Sequence, residues 1–127
     1  MIEQGLMTLL AGNAPIAALV GTRISWVVLP ENSTLPALTF QNVGSISSPT
    51  FETRGMQRMR VQFDCWGATY LDAITLRKAV ETLLDGFQGT LSDGTYLQNV
   101  VSLQQVDFFD HDVRVFRAMI EFRLYYD

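Results

Sequence analysis

The segment that most constrains this chain is residues 58–89, where a strand pattern runs directly into a helix pattern. Met59, Val61, Phe63 and Cys65 fall on one parity; Arg58, Arg60, Gln62 and Asp64 fall on the other. A period of two marks a strand with one buried and one polar face. Gly67 breaks the alternation, and Thr69 is placed to cap the following helix by accepting an early backbone N–H. On that helix, predicted over residues 69–85, Tyr70, Ala73, Ile74, Leu76, Val80, Leu83 and Leu84 form an apolar stripe. Arg77, Lys78 and Glu81 mark its wet side, and Gly86 is the predicted stop. The strand-to-helix turn has no glycine cluster, nucleophile elbow or Cys/His pair, so it is scaffold, and the chain is expected to act by binding and assembling.

The flanking segments complete the same fold. Residues 2–20 read as two helical pieces, with Gly12 and Asn13 between them and Pro15 suited to a first helical turn. Residues 24–29 are a short β-rich run stopped by Pro30, and residues 36–43 a second strand with Leu38 and Phe40 inward. Residues 97–109 and 113–126 form a hairpin around Asp110-His111-Asp112. In its second strand Phe116, Ala118, Ile120, Phe122, Leu124 and Tyr126 face inward, while Arg117, Met119, Glu121, Arg123 and Tyr125 face outward. In its first strand Val101 and Leu103 share a parity that Val106 and Phe108 do not, so a β-bulge is expected near Gln104 and Gln105. The predicted core is Leu38, Phe40, Val61, Phe63, Ile74, Val80, Leu83, Ile120, Phe122 and Leu124. The predicted fold class is α+β: a two-layer sandwich, with an antiparallel or mixed sheet of four to five strands and helices on one face.

Size and charge narrow the function. A chain of 127 residues fits one domain with a core of its own. A charged fraction of 17% leaves much neutral surface, which favours life against partners, and a net charge of −4 argues against a duplex-binding surface. The single cysteine, Cys65, excludes an intramolecular disulfide and reads as a small buried hydrophobe. The N-terminus has no basic segment followed by an apolar run, and no stretch reaches the length of a membrane span. A signal peptide is therefore not expected, and folding in a cytoplasm is.

Reactive constellations are weak. Asp110, His111 and Asp112 come from one tight turn, where metal sites draw ligands from converging elements; a polar turn is the expectation. Asp64 and Glu121 share a sheet face with Arg60, Arg117 and Arg123, so cross-strand ion pairing explains them better than acid–base work. Trp66 and Tyr70 could stack bases, but a core-edge role fits them better. Ser45, Ser47 and Ser48 have no histidine near them in sequence, and no phosphate-binding glycine loop is present. No catalytic, cofactor or metal residue is assigned. Residues 44–57, rich in Ser, Thr, Gly and Pro, read as a long loop or a hairpin arm. Phe51, Arg54 and Met56 are residue types enriched at interface cores, which favours an arm that orders on a neighbouring subunit over a disordered surface loop. The expected subunit interface comprises Phe51, Glu52, Arg54, Met56 and Arg58, with the outward row Arg117, Glu121 and Arg123 or a sheet edge as the opposing patch.

The order of segments carries a resemblance. An N-terminal helix leads to Ala-Pro-Ile-Ala-Ala-Leu-Val-Gly-Thr-Arg-Ile and then Leu-Pro-Ala-Leu-Thr-Phe-Gln. Arg-Val-Gln-Phe-Asp-Cys-Trp-Gly-Ala-Thr-Tyr follows with its helix, and the closing strand ends Phe-Arg-Leu-Tyr-Tyr. Across residues 1–126, most specifically at 19–24 and 60–70, the chain resembles the tail-completion, or tail-terminator, proteins of long-tailed bacteriophages and prophages. The resemblance implies one domain over residues 1–127 that is not an enzyme, needs no cofactor and closes into a homo-oligomeric ring, usually a hexamer. The ring would cap the tail tube at its head-proximal end, contacting the major tail tube protein and the head-completion connector. Virion DNA would pass through the lumen without specific binding, and no membrane is involved. Assembly would take place in the host cytoplasm. A neck or minor tail protein, or a non-viral protein-binding module, is the alternative.

Overall fold

The structure, a computed structural model, describes residues 1–30, 33–47 and 57–126. Three helices, α1 (Ile2–Ala11), α2 (Ala14–Val20) and α3 (Tyr70–Leu84), pack on a sheet of β1 (Ile24–Trp26), β2 (Ala37–Ser47), β3 (Gln57–Gly67), β4 (Gly89–Thr90), β5 (Tyr96–Asp110) and β6 (Val115–Tyr126). The strand order is β1-β2-β3-β6-β5-β4. Only β1 runs parallel to its neighbour, β2; every other pairing is antiparallel, so the sheet is mixed. No described helix is long and apolar enough to cross a membrane.

Six strands replace the expected four to five. The extra pairing comes from β4, two residues bonded to Tyr96 and Leu97, too short to leave a periodic trace in the sequence. The expected run at 24–29 forms a strand only over β1, because Val27 turns into the left-handed region at φ 66°. Conversely, β2 continues to Ser47 and pairs through the root of the predicted arm, Gly44 with Arg60 and Ser47 with Gln57.

The core lies between the helices and the inward parity of the sheet. Register aligns Leu38 with Cys65, Phe40 with Phe63, Phe63 with Ile120 and Val61 with Phe122, so these residues stack on one face. Phe63 meets Phe40 and Phe122 at ring-centroid distances of 5.6 and 5.8 Å. Leu6 and Leu10 from α1, Ile16 and Val20 from α2, and Ala73, Leu76, Val80 and Leu84 from α3 cover them. Of the ten expected core residues, Ile74 and Leu83 are only partly buried, at the edge of the α3 stripe; the other eight are buried. Cys65 is fully buried, and burial, reinforced by the Asp64 charge, pushes its thiol well above the usual range.

The α3 start follows the sequence closely. The Thr69 hydroxyl accepts from the Asp72 amide at 3.1 Å. Gly67 is required there by close approach, since a Cβ on it would sit 2.7 Å from the Ala73 nitrogen. The bulge expected near Gln104 and Gln105 is present between Ser102 and Gln104, with Leu103 as the additional residue. It switches the parity of β5, turning Gln105 and Asp107 toward the helix layer and Val106 and Phe108 away from it.

Candidate functional site

The sheet face opposite the helices carries most of the ionisable side chains singled out from sequence. Register fixes its rows. Trp66 lies between Ala37 and Arg117, with Phe108 beyond; Asp64 lies between Thr39 and Met119; Gln62 lies between Gln41 and Glu121, with Gln104 beyond; Arg60 faces Arg123. This face is not simply solvated. Thr39, Asp64 and Glu121 are 1%, 5% and 3% exposed, beneath the longer side chains around them.

Those buried groups are bonded. The Arg60 guanidinium pairs with one Glu121 carboxylate oxygen, and the Gln104 amide donates to the other at 2.9 Å. Gln62 donates to both Asp64 oxygens at 3.2 and 3.1 Å, and Arg117 Nε stands 3.9 Å from Asp64 Oδ1. The Trp66 indole N–H donates to the Thr39 hydroxyl at 3.0 Å. The Arg117 guanidinium lies 4.1 Å from the Phe108 ring centroid and 5.6 Å from that of Trp66, a cation held by two π faces. Cross-strand ion pairing was the expectation for this face, and the pairs form diagonally across β3 and β6.

The two buried carboxylates differ. Burial raises the Asp64 pKa, and the Gln62 hydrogen bond and Arg117 charge only partly oppose it. Burial also pushes Glu121 upward, but the bonds from Gln104 and Arg60 and the nearby arginine charges outweigh it and hold Glu121 below its usual value. Both work as members of bonded networks that hold β3, β5 and β6 together.

Two clefts flank this face. One of about 490 Å³ runs from Trp66, Phe108 and Arg117 to the β5–β6 turn. There His111 packs edge-on against Phe109 at 4.7 Å, and Asp110 accepts from the Asp112 amide at 3.0 Å, so the Asp110-His111-Asp112 segment is tied into its own turn. Among the described residues no group of three or more His, Cys, Asp or Glu side chains is placed to hold a metal ion. The other cleft, about 180 Å³, lies at the root of the arm between Gly44, Ser45, Arg58, Arg60 and Arg123. The Arg58 Nε is buried there with no hydrogen-bond partner among the described residues.

The sequence-derived interface residues therefore separate into three groups. Arg58 and Arg123 both line the cleft at the arm root. Arg117 and Glu121 are engaged within the sheet face. Phe51, Glu52, Arg54 and Met56 lie outside the described residues. Sequence reasoning did not find the Thr39–Trp66 bond or the Phe108 contact with Arg117, because both depend on which strands become neighbours. Tyr70, expected on the α3 apolar stripe at a core edge, is instead 45% exposed, and its hydroxyl donates to Asp107 at 2.6 Å, alongside Arg77.

No curated protein sequence matches the chain. Among solved structures, a chain of the virion of the native gene transfer agent particle shares this fold with a TM-score of 0.76 at 20% identity. The alignment covers 98% of this chain and 93% of that one. The family model described as "Tail completion protein gp17" matches residues 4–127, nearly the whole length. The resemblance noted from sequence is thus met by the family match, and the chain belongs to the tail completion protein gp17 family.

Proposed function

We propose that this chain is a structural subunit at the head-proximal end of a phage-type tail. Its copies close into a ring, six in number, that caps the tube of the major tail protein, ends its growth and offers the joining surface for the head connector. The observation that carries this reading is the family match over residues 4–127. The side-chain chemistry supports it. The acidic and basic groups gathered on the sheet face bond to one another, as befits a rigid building block. Virion DNA passes through the ring without being read, in keeping with a net charge of −4.

The arm at 44–57, with Phe51, Glu52, Arg54 and Met56, and Arg58 just beyond it form one side of the proposed subunit contact. Arg117, Glu121 and Arg123 mark the sheet face on the other side. The test is to assemble particles in cells lacking the protein and restore it from a second copy of its gene. Tails of uncontrolled length, or tails that fail to join heads, are expected in its absence and should disappear on restoration. Normal infectious particles without the protein would reject the assignment.

A further inference from the structure

Among the described residues, the two ends of the sheet carry long stretches of unpaired backbone. β6 pairs with β5 from Leu97 to Asp110. On its other side β5 meets β4 only at Tyr96 and Leu97, and the Gly86 amide donates to the Val100 carbonyl at 2.8 Å. Over residues 101–110 no described backbone group bonds to that edge. At the opposite end, β1 pairs with β2 only over residues 38–40, with Val27 donating to the Phe40 carbonyl. Over residues 41–47 the β2 edge is likewise open among the described residues.

Proteins that live as monomers blunt such edges with charge, proline, very short strands, bulges or a covering helix or loop. Neither residues 101–106 nor residues 41–47 carry a charge or a proline. Residues 101–106 read Val-Ser-Leu-Gln-Gln-Val, and residues 41–47 read Gln-Asn-Val-Gly-Ser-Ile-Ser. The first charge on the open part of β5 is Asp107, which is held against α3 by Tyr70 and Arg77. Val101, Leu103 and Val43 are 39%, 38% and 37% exposed. Each run contains one bulge, at Val43 and at Leu103, which bends the edge without covering it.

The edges also match in direction. β2, β3, β6 and β5 alternate strictly, so β2 and β5 point opposite ways. A second copy set beside the first, with its helices on the same side, brings its β2 antiparallel to β5 and continues the alternation. We infer that the open edge of β5 receives the β2 edge of a second copy, so that the sheets of neighbouring subunits join by main-chain hydrogen bonds. This rests on the ring reading, because a ring requires two different patches on each subunit. To the arm and sheet-face patches proposed above it adds a main-chain contact between the two sheet edges.

Blocking each edge separately tests this in a way that does not depend on register. One variant carries Val101→Lys and Leu103→Lys, the other Gln41→Lys and Val43→Lys; all four side chains are exposed or half-buried, and thermal melts verify the folds. Sedimentation should show the native chain associating, and each variant alone weakened by about tenfold or more. An equimolar mixture should form a heterodimer and nothing larger, because one intact β5 edge then meets one intact β2 edge. Variants that associate as the native chain does would overturn the edge inference and leave the ring in place. A β2-blocked variant that still dimerises alone would mean that β5 pairs with its own copy, and would overturn it too. A native chain that stays monomeric up to millimolar concentration also overturns it, with the ring itself judged by the particle experiment.

Discussion

At the scale of single residues, the most telling contrast is between two buried carboxylates about one row apart on the same sheet face. Glu121 has a direct guanidinium partner and an amide donor; Asp64 has an amide donor but a guanidinium only at 3.9 Å. Arg117 spends its faces on the Phe108 and Trp66 rings, so its charge compensates Asp64 less fully. The two groups therefore pull stability in opposite directions with pH. The folded Asp64 value lies above its ordinary 3.8, so its contribution is fully present below that value and is lost as pH rises through the raised one. Glu121 is depressed below its ordinary 4.5, so its contribution is present above that value and is lost as pH falls through the depressed one. Asp64→Asn keeps an oxygen for Gln62 and removes the buried charge. It should raise stability at neutral pH by a small margin that vanishes in acid, as read from denaturant melts at both pH values. A variant weaker than native at neutral pH would mean that the Arg117 attraction outweighs burial.

At the scale of elements, α3 is fastened to β5 by polar contacts that complement its apolar stripe. Tyr70 and Arg77 both donate to Asp107, and Gln105 donates to Glu81. The Tyr70 bond, then the Arg77 bond, holds Asp107 below its usual value against the opposing pull of burial. The seam's contribution is present above the unfolded carboxylate value and lost as pH falls through the depressed one. With the Asp107 side chain 44% exposed, Asp107→Asn should cost less than about 1 kcal/mol at neutral pH and nothing in strong acid, measured by denaturant titration. The partners in this seam are 37 and 30 residues apart, and only the bulge at Leu103 turns Asp107 toward the helix. Sequence parity revealed that a bulge was needed, but not which helix would meet the residues it redirected. The same boundary recurs elsewhere. Period two placed Met59, Val61, Phe63 and Cys65, and Ala118, Ile120, Phe122 and Leu124, on the inward face, because there apolar and polar residues alternate. It could not tell that Asp64 and Glu121 would be buried on the other face, since parity gives direction, and exposure depends on the length of neighbouring side chains from other strands. The open edges were equally hidden, because whether a strand has one neighbour or two is decided by topology.

At the scale of the whole molecule, the proposed assembly arm lies apart from the core expected from sequence, and that separation can be tested. Among the described residues the core closes on side chains from all three helices and from the sheet. Phe51 and Arg54 lie outside those residues, and neither belongs to the core expected from sequence. Phe51→Ala with Arg54→Ala should therefore leave the melting behaviour within about 0.5 kcal/mol of native. Assembly should respond far more strongly. In a ring each subunit uses each patch once, so a loss at one contact recurs at every junction. A weakening of about 1.4 kcal/mol per contact is tenfold in each pairwise constant. The penalty to the closed ring is then the product of those factors, and a double variant that folds normally should give few rings and few completed tails. Particle counts by electron microscopy, set beside thermal melts of the same purified variant, read both quantities. A variant that melts early while its particles are normal would place Phe51 and Arg54 in the folded unit and remove the arm from the interface.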